Sequence, residues 1–256
     1  MALFGGKTSG QLTLTDAIMV GFKMVIQPNF IIPILVIGVV INIVVIAAIV
    51  PIVLGLVLGG TTGNPAVIGG AIVAGILGSV IAAIVGGLIL NLYGQVWATM
   101  ASVGDAPMIK AAFTRVGERW VGMLGAGLIT GGITLGIIIV GGVVAAILGA
   151  LGALVLIVAV VAAIYIGVRL SMSGWLAADG AAAMDAVKAS WALTQGKLLL
   201  IGGWGLAFAI VFGIVGAIVS TVLGIVPLVG PALAQAIVSA FGFGAGVSLY
   251  RKVKGD

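Results

Sequence analysis

Long apolar runs alternate along the chain with short stretches that hold its polar residues. Six runs are long enough to cross a bilayer, approximately over 30–58, 67–97, 120–148, 150–172, 198–223 and 229–250. Uninterrupted apolar stretches above about 18 residues predict transmembrane helices. Membrane β-barrels would instead show short alternating segments, and none occur here. The break between the third and fourth runs, at "ILGALGALV", rests on length. The apolar sequence from Trp120 to Ile166 is too long for one crossing, for which about 20 residues suffice.

Charge placement supports this count. The eleven basic residues are Lys7, Lys23, Lys110, Arg115, Arg119, Arg169, Lys188, Lys197, Arg251, Lys252 and Lys254. The six acids are Asp16, Asp105, Glu118, Asp179, Asp185 and Asp256. All lie in the N-terminal segment, the 98–119 connection, the 169–197 connection or the C-terminal tail. The other connections, "GGTTGNPA", "GALGA" and "GIVPLVGP", carry no charge. A six-span path puts the charged segments on one side and the uncharged ones on the other. An odd number of spans would scatter the charges. Basic short loops stay cytoplasmic, so the expected location is the cell (inner or cytoplasmic) membrane with both termini in the cytoplasm.

Three polar-edged segments precede the odd-numbered spans. They are "DAIMVGFKMVIQPNFIIP" (16–33), "PMIKAAFTRVGERWVGML" (107–124) and "AAMDAVKASWALTQGKLLLIGG" (182–203). Aligning Phe22, Phe113 and Trp191 spaces them by about one third of the chain. The predicted fold is thus all-α: one polytopic domain over 1–256, built as three pseudo-repeats at about 13–97, 105–172 and 180–250. Each unit is an interfacial amphipathic helix followed by a helical hairpin. In the third segment Ala183, Met184, Val187 and Trp191 fall on one predicted face, with Asp185 and Lys188 on the other. Such a helix suits the headgroup plane, though a solvated helical loop is the alternative reading. Thr15 and Asp16 make a start signal for the first helix.

Small residues recur every fourth position. Span two contains Gly70, Ala74, Gly78, Ala82 and Gly86, and beside them Ala71, Gly75, Ser79, Ala83, Gly87, Asn91 and Gln95. Span five has Ala209, Gly213, Ala217 and Thr221; span six has Ala232, Ala236, Ala240, Gly244 and Ser248. In lipid, helices associate through close packing that small side chains permit. The rows serve either packing within the bundle or a homo-oligomer or lipid contact. Asn42, Asn91, Gln95 and Gln235 are the polar residues within spans, suited either to interhelical hydrogen bonds or to a polar lining. Arg169, at the end of span four beside Tyr165, either snorkels to the interface or holds a lipid phosphate together with Lys188 or Lys197.

Composition narrows the chemistry. The chain is 62% hydrophobic and 7% charged, with no Cys and no His. Thiolate catalysis, disulfides and cysteine metal sites are excluded, and the commonest general base is missing. Glycine clusters such as "GGAIVAG" lie inside spans, outside any strand–turn–helix context that would cradle a nucleotide. "TSG" at 8–10 and "SMSG" at 171–174 have no histidine to activate a serine. Asp179 and Asp185 are the one conceivable carboxylate pair, and near Lys188 they read as solvated surface. The segment before the first span lacks an apolar core, so no secretory leader is expected there. No cofactor, metal or nucleic acid is expected; the basic balance points to anionic lipids.

Residues 165–204, "YIGVRLSMSGWLAADGAAAMDAVKASWALTQGKLLLIGGW", carry Arg169, then Ala186, Ser190, Trp191, Leu193, Thr194 and Gly196. This pattern, with the closing "SLYRKVKGD", resembles the glycerophosphoryl diester phosphodiesterase membrane-domain family and related uncharacterised membrane protein families. Beyond these stretches the likeness is in hydropathy only. That label derives from fusions to a separate catalytic domain that uses His and acidic residues around a metal. The resemblance therefore implies a six-span membrane module without that activity. The expected function is a non-catalytic accessory, scaffolding or membrane-organising subunit, with lipids and a protein partner or second copy as neighbours. The alternative is a carrier or channel for a lipidic or apolar solute. An enzyme would have to work through Asp179 or Asp185.

Overall fold

The computed structural model describes residues 3, 12–104, 106–223, 226 and 229–255. Lys7, the "TSG" at 8–10, Asp105 and Asp256 lie outside the described residues. The architecture is all-α. In chain order the helices are α1 (Leu14–Val25), α2 (Pro28–Thr62), α3 (Pro65–Val103), α4 (Ile109–Leu148), α5 (Gly152–Leu170), α6 (Ser173–Asp179), α7 (Ala183–Leu193), α8 (Leu198–Leu223) and α9 (Val229–Lys254). Among the described residues, six runs are long and apolar enough to cross a membrane: α2, α3, α4, α5 extended through α6, α8 and α9. This fits a multi-pass membrane protein, and five of the six expected spans fall within one of these runs; the fourth, expected from 150, starts at Gly152.

Turn chemistry shapes the hairpins. Between α2 and α3, Gly63 has φ 66°, which L side chains resist. Asn64 then accepts from the Ala66 amide, and Pro65 starts α3 where its missing N–H costs nothing. A 3-10 turn at Gly149–Leu151 joins α4 to α5, inside the stretch where a break was expected.

α2 and α3 run antiparallel. Ala71, Gly75, Gly78 and Gly86 of α3 meet Gly55, Ile52, Ala48 and Ile41 of α2 in turn. This contact stripe crosses between the two four-residue rows read in the sequence. At 3.6 residues per turn, a strict four-residue row drifts about 40° per step, so a seam must mix steps of three and four. Gly75, Gly78, Gly86 and Gly244 therefore pack against neighbours. Gly70, Gly87 and Gly213 face open space.

The segments before the hairpins differ from one another. α1 and α7 are separate helices, but the 107–124 segment is not: α4 runs unbroken from Ile109 to Leu148. Pro28 ends α1, because the residue before a proline is pushed out of helical conformation. "AAFTRVGERW" contains no proline, and an Arg115–Glu118 pair three residues apart supports the helix through it. The connection after α5 also holds a helix of its own, α6.

α7 is rotated from the predicted face. Ala186, Val187 and Ser190 are buried, whereas Met184 and Trp191 are exposed. Small residues let α7 sit close to α4: a β-carbon on Gly125 would lie 2.7 Å from that of Ala183. Close approach selected the small face over the large apolar one.

The core sits at the charged end of the molecule. Tyr93, Trp97, Phe30, Met24, Val247 and Val253 are fully buried there. Toward the uncharged turns, Leu54, Leu77, Ile139, Ile157 and Ile210 are exposed. α9 is the most enclosed long helix, packing against α1, α2, α3 and α8. At about 1.5 Å per residue the 39-residue α3 spans nearly twice a hydrocarbon layer of about 30 Å. The excess length gives the helix room for its buried, Tyr93- and Trp97-bearing end.

Candidate functional site at the polar base

The chemistry-bearing side chains gather where α3, α5, α6, α7 and α9 converge. The last carbonyls of a helix have no partner within it. The carbonyl of Arg169, near the end of α5, accepts from Ser190 Oγ at 2.9 Å, and Thr194 Oγ1 lies 3.1 Å from it while also reaching the Ser190 carbonyl at 2.8 Å. Both donors come from α7 and its C-cap, so two short side chains pin α7 under α5. The Arg169 guanidinium lies 4.3 Å from the centre of the Trp191 ring and 6.0 Å from that of Tyr165. The two rings meet edge to face at 6.3 Å. Arg169 is only 6% exposed, and its Nε has no hydrogen-bond partner among the described residues. It does not snorkel outward, because α7 is fastened across it.

The other two residues grouped with Arg169 go separate ways. Lys197 donates to the Val253 carbonyl at the end of α9. Lys188 is exposed on α7, three residues from Trp191 and so on a neighbouring part of the helix surface.

The end of α9 ties the base together. Asp179 Oδ2 accepts from Tyr250 OH at 3.0 Å and from Lys254 Nζ at 2.9 Å. The Tyr250 ring stacks on Trp175 at 6.3 Å with 19° between planes. Arg251 donates to the Ser102 carbonyl in the last turn of α3 at 2.8 Å. Lys252 donates to the Leu12 carbonyl at 2.6 Å and lies 5.7 Å from the Trp204 ring. Lys23 closes α1 onto the Leu3 carbonyl at 2.8 Å. Cations at helix C-termini complement both the orphan carbonyls and the dipole. Sequence reasoning assigned the basic tail to lipid contact and missed this capping; its clustering in the last turn of a helix was the available signal. Asp179 is engaged by Tyr250 and Lys254, while Asp185 is exposed in the first turn of α7. The two acids are not brought together as a hydrogen-bonded pair.

The side-chain hydrogen bonds of Asn42 and Gln95 stay within their own helices. Asn42 Nδ2 donates to the Gly38 carbonyl at 2.8 Å, and Gln95 Nε2 to Asn91 Oδ1 at 2.8 Å. Gln95 Oε1 is buried without a partner, lodged against Gly174. Gln235 is exposed and lines a recess of about 320 Å³ with Ser220 and Pro231. The set forms no shared lining. Beside the bonds of the base, further side-chain bonds that cross between helices are Thr130 Oγ1 with Ser173 Oγ at 3.1 Å and Tyr93 OH to the Asn29 carbonyl. Two further recesses flank the bundle. One of about 500 Å³ lies at Met100, Met108, Lys110, Thr114 and Arg115. One of about 260 Å³, between α2 and α3, is lined by apolar residues including Val40, Ile41, Val85 and Gly86.

No family model, curated protein or solved structure matches the chain.

Proposed function

We propose that this chain is a non-catalytic integral membrane protein that acts as an accessory, scaffolding or membrane-organising subunit, its charged base in the cytoplasm. One observation carries the reading. The cations at the end of α9, with Lys197, are engaged as caps and cross-links inside the base, while the flanks of the hairpins remain apolar and uncovered. Such a molecule offers surface for lipids and for other membrane helices, and a rigid base to hold that surface in place. Asp179, one of the two acids an enzyme would have to use, is committed to Tyr250 and Lys254.

The likeness to the phosphodiesterase membrane-domain family remains part of this proposal. It rests on the sequence alone; the residues that carry it have local roles here: Ser190 and Thr194 lie against the Arg169 carbonyl, Trp191 faces the guanidinium, and Gly196 turns the chain at φ 73°. The threefold repeat is likewise a proposal, supported by α1 and α7 each preceding a hairpin, with the middle copy fused into α4.

Extraction from native membranes in mild detergent, followed by mass analysis, tests the function. A protein partner at constant stoichiometry supports the accessory reading. Turnover of any substrate that is lost in Asp179→Asn or Asp185→Asn overturns it. The carrier reading is favoured by the apolar recess between α2 and α3; a co-purified apolar solute displaced by Gly86→Leu would establish it.

A further inference from the structure

We propose that Arg169, with Tyr165 and Trp191 as its walls, seats the phosphate of an anionic lipid headgroup; this rests on the membrane reading above. A buried cation is ordinarily paired, since taking a charge out of water is costly without a partner. Arg169 is 6% exposed, yet no carboxylate lies within ion-pair distance of it among the described residues. Its guanidinium makes no hydrogen bond there, and its Nε is buried without an acceptor. The aromatic rings supply only part of the compensation.

Neighbouring cations show the contrast. Lys23, Lys197, Arg251 and Lys252 each have a carbonyl acceptor, Lys254 has Asp179 and Arg115 has Glu118. Arg119 also has a buried Nε without a hydrogen-bond partner, but the residue as a whole is partly exposed.

No described residue supplies the acceptor, and the walls show where one from outside the chain can enter. Tyr165 is 44% and Trp191 39% exposed, so the rings that touch the guanidinium also face the surroundings. Tyr and Trp favour the headgroup level of a bilayer. A guanidinium presents paired N–H donors that match phosphate oxygens. The guanidinium already occupies the ring faces, and its charge disfavours the trimethylammonium of a choline headgroup there. The fit is a phosphate with net negative charge. Exposed Lys188 stands beside Trp191 to meet it at the rim; Lys197, engaged with Val253, takes no part.

The test uses the full chain in bilayer nanodiscs of phosphatidylcholine alone or mixed with phosphatidylglycerol, read by native mass spectrometry and thermal unfolding. The expected result is one phosphatidylglycerol retained per chain in preference to phosphatidylcholine, with stabilisation confined to the mixed bilayer. Loss of a charge-assisted contact should weaken retention about tenfold or more in Arg169→Gln, and only slightly in Lys188→Gln. Arg169→Lys and Trp191→Phe give the same reading if the glutamine variant fails to fold. Retention equal to wild type in these variants overturns the site. So does a loss of stability that is the same in both bilayers, which would make Arg169 a structural wedge only. Inorganic phosphate and glycerol phosphate are added as competitors: displacement by either overturns a lipid in favour of a soluble phosphate. Recovery of the chain without detergent overturns the membrane reading itself, a result distinct from lipid-blind behaviour in an integrated protein.

Discussion

Gly21 and Gly244 bring α1 and α9 into backbone contact: a β-carbon on Gly244 would lie 2.6 Å from the Gly21 amide nitrogen. The obstacle is main chain, which cannot swing aside as a side chain would. Gly244→Ala should therefore separate the two helices and destabilise the protein by about 1–3 kcal/mol. Gly213→Ala, in open space on α8, should be neutral or stabilise by about 0.5 kcal/mol through helix propensity. Thermal unfolding of both variants in one detergent makes the comparison. Equal effects would show that the α1–α9 contact does not govern stability.

Ser190 and Thr194 share one acceptor, the Arg169 carbonyl. Without Ser190 the Thr194 hydroxyl can turn from the Ser190 carbonyl to the Arg169 carbonyl, and without Thr194 the Ser190 hydroxyl keeps it bonded. Ser190→Ala or Thr194→Val alone should cost about 0.5–1 kcal/mol, and the double variant more than their sum, because only then is a buried carbonyl orphaned. A double-mutant cycle on unfolding free energy measures this, and simple additivity would contradict it.

Asp179 meets two partners of different character. Its ion pair with Lys254 is more than a third exposed on both sides, so the Asp179→Asn, Lys254→Gln cycle should give a coupling below about 1 kcal/mol that shrinks further with salt. Tyr250→Phe removes a hydroxyl from a buried, stacked ring and should cost about 1 kcal/mol, with little salt dependence. A large, salt-insensitive coupling to Lys254 would refute the assignment.

Much of the fold is legible in the chain because length and hydropathy dictate it. The turn "TTGNPA" is readable from Gly63, Asn64 and Pro65, whose roles are local. What the sequence hides is set by tertiary contact. The mixed seam of Gly75, Gly78 and Gly86 is obscured by two regular rows that each look complete. α7 buries Ala186 and Ser190 where hydropathy favours Met184 and Trp191, because close approach to α4 outweighs side-chain area. The middle amphipathic segment resembles its relatives in pattern, but without a proline like Pro28 it joins α4. At the candidate site, Arg169 and Trp191 are identifiable by residue type, whereas the capping by Lys197 and Arg251 and the Lys252 bond to Leu12 depend on main-chain atoms that composition does not reveal.

The account's central claim is that hairpins cross a membrane from one charged base. The chain has no cysteine, so single cysteines can report sidedness without background. Glu118→Cys, Lys188→Cys and Lys254→Cys mark the base; Thr61→Cys, Leu151→Cys and Val226→Cys mark the far turns. All six positions are exposed. With a membrane-impermeant maleimide applied to intact cells and to inverted vesicles, the account predicts that the base positions label only in inverted vesicles and the far turns only in intact cells. A base position labelled from the same side as a far turn would contradict it.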